Sequence, residues 1–259
     1  MYKIINFTLL SALVLSSCSF NGEHSGIKYP ENRIITNEVT VNTRDNLNIK
    51  INFYVLKDKA RSPAVVLLHM LGKDSSSWNN FIPLLLDQGY AVLNVDLRGH
   101  GRSVKINNGR KIFYNSMSEN DWQKLPDDII DIVNFVSHDK YVDSDKIALI
   151  GASIGANSSI IAGSNLPDKI KTVVAISPGL DYHGIQPLSF AENLSIPLLV
   201  AVSKGDRYSF ESSNQLNEVV KSPHDLLVYN DEQHGTNLLF SSQELQGKII
   251  NWLNEYLKK

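Results

Sequence analysis

Residues 147–157 read Ile-Ala-Leu-Ile-Gly-Ala-Ser-Ile-Gly-Ala-Asn, IALIGASIGAN. A short apolar run, the pattern of a strand covered on both faces, leads straight into Gly151-Ala152-Ser153-Ile154-Gly155 and then into a stretch of small residues that predicts a helix. Glycine inside packed elements costs stability, so two of them around one serine need a reason. A strand-to-helix turn sharp enough to project the serine hydroxyl supplies one, because a Cβ on either side would clash. The helix that follows then aims its free N–H groups at the same place.

Working outward, IITNEVTVNT and LNIKINFYVL alternate apolar and polar residues and predict an antiparallel hairpin with one exposed face. PAVVLLH, YAVLNVD, IKTVVAIS and PLLVAVS are continuous apolar runs, as expected of buried parallel strands, and HDLLVYN adds one more. Between them WNNFIPLLLDQGY, WQKLPDDIIDIVNFVSHD, SSNQLNEVV and SQELQGKIINWLNEYL carry helical periodicity. In the second of these Ile129, Ile130, Val133 and Phe135–Val136 form the expected apolar stripe. The alternation predicts an α/β fold: a mostly parallel twisted sheet with helices on both faces, opened by an antiparallel hairpin. No composition break divides residues 34–259, which read as one domain.

In such a sheet functional groups gather beyond the C-terminal ends of the strands. A serine hydroxyl needs a base to take its proton. Of the seven histidines, His234 alone lies between the last strand and the last helix, in NDEQHGTNLL, where the order serine, acid, histidine puts the base. The acid that orients it is Asp206, in the turn VAVSKGDRYS, with Asp181 in SPGLDYHG as its rival; Asp231 is too near His234 in sequence. The developing oxyanion needs two N–H donors, one from Ile154 and one from the turn LLHMLGKDSSSW. Trp78, Phe113, Tyr114, Trp122, Tyr182 and Phe190 lie in segments able to border the pocket.

Taken together and in this order, LLHMLG, DLRGHGRS, GASIG, SKGD and QHG resemble the α/β-hydrolase superfamily from about Ile34 to the end of the chain. The resemblance implies a Ser153, Asp206 and His234 triad, an acyl-enzyme on Ser153, and no cofactor or metal. It places the second oxyanion donor at Leu71, with Met70 as the alternative, since the relatives use the residue after the glycine of an H-G-x turn. Met70 stands where that glycine is usual. It also implies that Asp96, Arg98, Gly99, His100 and Gly101 shape a turn beside the site. The twenty or so residues after IKTVVAIS are too few for a large helical cap, so a short or absent cap is expected. The implied function is a serine hydrolase of esters or amides acting on a small-molecule or peptide acyl substrate. A serine peptidase or aminopeptidase of the same fold, or a non-catalytic binding lipoprotein on a hydrolase scaffold, are the alternatives.

The 259-residue chain has a formal charge of −2 and no basic stripe, which gives no reason to expect nucleic acid. Its one cysteine, Cys18, follows Lys3, an apolar stretch and Leu15-Ser16-Ser17. This resembles the bacterial lipobox. It implies a signal peptide over residues 1–17, lipidation at Cys18, a tether over 18–33, and an exported protein held at the membrane on its periplasmic or cell-surface side. The competing readings are a plain signal peptide with an incidental cysteine, or a buried hydrophobic segment. With one cysteine, no disulfide within the chain and no cysteine-based zinc site can form.

Overall fold

The period-2 pattern of the central strands sorts their side chains into two apolar layers. From β3 (Ser62–Leu68) Ala64, Val66 and Leu68 enter one core while Val65 and Leu67 enter the other. From β5 (Val142–Ala152) Ile147 and Leu149 take the first side, and Ala148, Ile150 and Ala152 the second. A computed structural model describes residues 33–258, so the expected signal peptide, Cys18 and all but the end of the expected tether lie outside the described residues.

These strands sit within an eight-stranded sheet of order β1-β2-β4-β3-β5-β6-β7-β8. The hairpin of β1 (Ile34–Asn42) and β2 (Asn48–Leu56) pairs antiparallel and joins β4 (Ala91–Val95) antiparallel. From β4 onward, through β3, β5, β6 (Ile170–Ile176), β7 (Leu198–Ser203) and β8 (His224–Tyr229), every pairing is parallel. Outward-facing residues of β1 are exposed, as the alternation predicts for a solvated edge.

Helices cover both faces. On one, α1 (Ile82–Asp87), α7 (Thr236–Ser241) and α8 (Gln243–Leu257) bury Leu85, Leu238, Leu239, Ile249 and Leu253. On the other, α2 (Glu119–Trp122), α3 (Leu125–Val136), α4 (Ile154–Asn165), α5 (Leu188–Glu192) and α6 (Arg207–Val219) bury Trp122, Ile132, Ile160, Ala191 and Leu216. Each fully buried aliphatic side chain of this kind contributes about 1.5–3 kcal/mol.

Two details differ from the sequence reading. The α3 stripe runs through Leu125, Ile129, Ile132, Val133 and Val136, while Phe135 is 46% exposed, because the i+3, i+4 and i+7 positions from Ile129 are Ile132, Val133 and Val136 and residue 135 falls off that face. Trp78 is fully buried in the second core rather than beside the site. A short 3-10 turn, Ser75–Trp78, occupies the chain before α1 and turns the indole inward. The β6–β7 connection holds only the five-residue α5, so no large helical cap stands there.

The hairpin is tied to the sheet by Arg98. Its guanidinium donates to Asp128 on α3 (2.7 and 2.6 Å) and to Asp45 in the hairpin turn (2.8 and 2.9 Å). Arg98 is buried, so these four bonds are what make its charge tolerable there.

Candidate active site

Between β5 and α4, Ser153 adopts φ 55° and ψ −117°. A non-glycine residue in this region carries strain of about 1–3 kcal/mol, which the surroundings must impose. They do so by hydrogen bonds: Ser153 N–H donates to Ile176 O on β6 (2.8 Å), and Ser153 O accepts from Ala156 and Asn157 (2.9 and 3.1 Å). The flanking glycines are required by close approach. A Cβ on Gly151 would overlap the Gly155 carbonyl, and one on Gly155 would run into the carbonyls of Leu68 and His69 at the end of β3.

Asp206, in the turn after β7, caps α6, and His234 follows β8. His234 Nδ1–H donates to Asp206 Oδ2 at 2.6 Å, which turns Nε2 away from the aspartate. Burial pushes the Asp206 carboxyl up, but the His234 bond and Ser209 outweigh it and hold its pKa below the usual range. Asp206 is thus an anion beside the ring. The rival Asp181 is elsewhere: its carboxylate accepts from Gly184 N–H and Gln186 Nε2, both at 2.7 Å, and shapes the 181–186 turn. Asp231 caps Glu232 and Gln233 N–H groups and receives the Ser241 hydroxyl.

Ser153, Ile154 and His234 line one cavity of about 260 Å³ with Met70, Leu71, Tyr182 and His183. Among the described residues no hydrogen bond joins the Ser153 hydroxyl to His234. Instead Ser153 is one of the groups stabilising the phenolate of Tyr182, whose pKa burial nonetheless raises. Such bonds are commonly loose before substrate binds.

The turn after β3 is held by the DLRGHGRS segment. Asp96 accepts from Ser75 N–H (2.9 Å) and from the Arg102 backbone and Nε (3.1 and 2.8 Å). His69 Nδ1–H donates to Met70 O (2.9 Å) while its Nε2 accepts Leu97 N–H (2.9 Å). Burial lowers the His69 pKa to about 4, which keeps that ring neutral. His100 repeats the scheme, with Nδ1–H to Arg98 O (2.8 Å) and Nε2 accepting Gly72 N–H (3.2 Å). Neither Leu71 N–H nor Ile154 N–H has a protein acceptor among the described residues, and both residues face the cavity. The Met70 sulfur lies against the start of α7, where a Cβ on Gly235 would come within 2.7 Å of it and the Thr236 hydroxyl reaches it at 3.7 Å. Methionine therefore packs against the residues that follow His234 while also forming part of the cavity wall.

Sequence reasoning missed two serines. Ser177, φ 52°, follows β6, and its hydroxyl accepts Gly235 N–H at 2.9 Å, fixing the residue after His234. Ser209 lies between Tyr182 OH (3.1 Å) and His234 Nδ1 (3.5 Å). A Ser-Pro pair at a strand end and a serine three residues past the acid were the only signals for them. Of the aromatic candidates, Tyr182 lines the cavity, Phe113 and Tyr114 line a neighbouring cleft, and Trp122 stacks on His183 at 4.4 Å. Phe190 packs against the core. No cluster of three or more His, Cys, Asp or Glu side chains is placed to hold a metal, and no helix is long and apolar enough to cross a membrane, among the described residues.

Comparison with known proteins agrees with this architecture. The chain is 24% identical over 155 residues to 2-(acetamidomethylene)succinate hydrolase of Mesorhizobium japonicum, covering 59% of this chain and 50% of that protein. It is 30% identical over 119 residues to the 2-hydroxy-6-oxononadienedioate/2-hydroxy-6-oxononatrienedioate hydrolase of Escherichia coli, covering 44% of this chain and 36% of that protein. The chain thus spans half or less of these relatives. Among solved structures, an acetyl xylan esterase from Paenibacillus sp. R4 superposes with TM-score 0.74 at 17% identity, over 90% of this chain and 87% of that one. A dienelactone hydrolase from Anabaena variabilis does so with TM-score 0.66 at 16% identity, over 86% and 97%. The family model described as serine aminopeptidase, S33 matches residues 59–190, about half of the sequence, from β3 to α5. The chain belongs to this serine aminopeptidase S33 family of α/β hydrolases.

Proposed function

We propose that the protein is a serine hydrolase that cleaves a carboxylic ester through an acyl-enzyme on Ser153. One observation carries the reading: His234, paired with Asp206 at 2.6 Å, and the strained Ser153 line a single cavity at the strand ends. His234 Nε2 takes the Ser153 proton as Oγ attacks the substrate carbonyl carbon. Ile154 and Leu71 N–H groups receive the oxyanion. As the intermediate collapses, the imidazolium returns its proton to the leaving alcohol. Water, deprotonated by the same ring, then releases the acid and frees Ser153. Asp206, already an anion, stabilises the imidazolium in both halves.

An ester fits the cavity better than a peptide with a free amino terminus. Apart from the groups of the pair itself, its lining is Met70, Leu71, Ile154, Tyr182 and His183, with no carboxylate to receive an ammonium group. The reading is tested with a fluorophosphonate probe and p-nitrophenyl acetate. Wild-type protein labels and turns over, and Ser153→Ala does neither; a wild type that fails to label, or a variant that labels equally, overturns it.

The lipobox at Cys18 extends the proposal to a lipid-anchored enzyme, with residues 1–17 removed and the domain held by its tether outside the cytoplasm. Metabolic labelling with an alkyne fatty acid, in wild type against Cys18→Ser, checks it. Equal labelling of the two would remove the anchor from the proposal.

A further inference from the structure

Outside the Ser153 cavity the fold holds a larger cleft of about 400 Å³, bordered by Gly72, Lys73, Asp74, His100, Phe113, Tyr114 and Asn115 among others. That size lies within the range of ligand sites, roughly 300–1,000 Å³. The turn after β3 borders both spaces, since Leu71 lines the cavity and its neighbour Gly72 lines the cleft.

Two features mark the cleft as more than a dent. Among the described residues only seven large apolar side chains are exposed; two of them, Phe113 and Tyr114, line the cleft at 48% and 39%, and a third, Leu71 at 39%, lines the adjoining cavity. A row of rings also runs from the cleft to the cavity. Tyr114 stacks on His100 (4.6 Å, 10°), His100 meets Trp122 edge-on (6.0 Å), and Trp122 stacks on His183 (4.4 Å, 14°). His100 and Trp122 of this row are buried, so the aromatic surface left in water is that of Tyr114 and Phe113, and it suits a flat partner. The polar rim points to its chemistry. Lys73 and Asp74 are neighbours of opposite charge, so no net charge selects an ion, and the Lys73 and Asn115 side chains have no hydrogen bond within the protein among the described residues.

We propose that this cleft is the subsite for the leaving-group half of the ester, and that it takes a neutral hydroxylated ring, a sugar or a phenol, against Phe113 and Tyr114. The ring lies on the aromatic surface while Lys73, Asp74 and Asn115 meet its hydroxyls. The acyl half occupies the smaller cavity over Ser153, and the scissile bond spans the Leu71–Gly72 step. The proposal rests on Ser153 being the acylated nucleophile.

The test compares wild type with Phe113→Ala and Asn115→Ala, both changes at the surface where folding is not at stake. For each protein kcat/KM is measured with an acetylated methyl glucoside, with phenyl acetate and with ethyl acetate. Dividing each ring ester by ethyl acetate, and variant by wild type, cancels the intrinsic reactivity of the leaving group. The expected result is a fall of roughly three- to tenfold in that ratio for the sugar or the phenol, and the arm that falls identifies the source. Ratios unchanged in both arms overturn the subsite. A second readout does not depend on turnover: binding of free methyl β-D-glucopyranoside or catechol to Ser153→Ala, followed by saturation-transfer NMR and weakened by Phe113→Ala. Ester turnover absent in wild type with such binding intact would sink the esterase reading and leave the cleft as a ring-binding site; binding absent for both compounds sinks the cleft.

Discussion

The Gly72 N–H donates to Nε2 of His100 at 3.2 Å, so the turn that carries Leu71 hangs from a histidine that never touches the cavity. His100 in turn is fixed by its own Nδ1–H to Arg98 O. Replacing His100 by Phe keeps the ring volume and the stack on Tyr114 but removes the acceptor. We expect kcat on a short ester to fall about tenfold, less than the 10²–10³ lost with an oxyanion donor itself, with KM little changed. An unaltered kcat would show that the Leu71 turn holds its shape without this bond.

Asp206→Asn is nearly isosteric and tests the charge beside His234. It removes the anion that stabilises the imidazolium and offers an amide that can present the wrong hydrogen-bonding group to Nδ1. Activity is expected to fall by roughly 10⁴, with the fold intact by circular dichroism. Asp181→Asn, at the rival position, is expected to change kcat less than tenfold, since its carboxylate serves only the 181–186 turn. The reverse order of effects would reassign the acid.

Acid sensitivity should trace in part to His69. Its folded pKa is about 4, depressed by burial, against about 6.5 in the unfolded chain. Between these values the unfolded state binds more protons, so stability falls as pH drops from 6.5 toward 4, by about 3 kcal/mol in all. Urea midpoints at pH 7 and pH 4.5, for wild type and His69→Gln, check this. The variant should lose less stability across that interval than wild type, and equal losses would assign the acid response to other groups.

Tyr182 bounds the cavity proposed to take the acyl group. Its ring stands in the 260 Å³ cavity with its hydroxyl on Ser209, and a Cβ on Gly179 would strike that ring, so glycine there lets the tyrosine fold back over the site. Tyr182→Ala should move the preferred p-nitrophenyl ester from acetate or butyrate toward longer chains, by at least two carbons. A chain-length profile identical to wild type would place the limit elsewhere.

What the sequence made legible was the part with local causes. Gly151 and Gly155 could be read because backbone approach leaves no substitute for glycine, and Asp206 and His234 because strand ends and turn residues mark their positions. Leu71 could be named only by resemblance, since its place depends on His69, Asp96 and His100 acting across the gap between two strands. Ser177 and Ser209 were invisible for the same reason: each matters through a partner some 60 or 25 residues away. Trp78, in a segment able to border the pocket, packs instead into the core, because a 3-10 turn rotates its indole inward, and nothing in its neighbours along the chain announces that rotation.

The near-contact of Gly155 with the carbonyls of Leu68 and His69 has a mechanical consequence. The helix bearing Ser153 and the strand leading to Leu71 touch backbone to backbone, with no side chain between them to act as a cushion. Ser153 and the Leu71 turn, the proposed nucleophile and anion-binding group, therefore travel as one stiff part. Whatever adaptation a substrate demands must come from the other walls, the Tyr182–His183 turn and the Phe113–Trp122 segment, which border the site like two jaws around a fixed anvil.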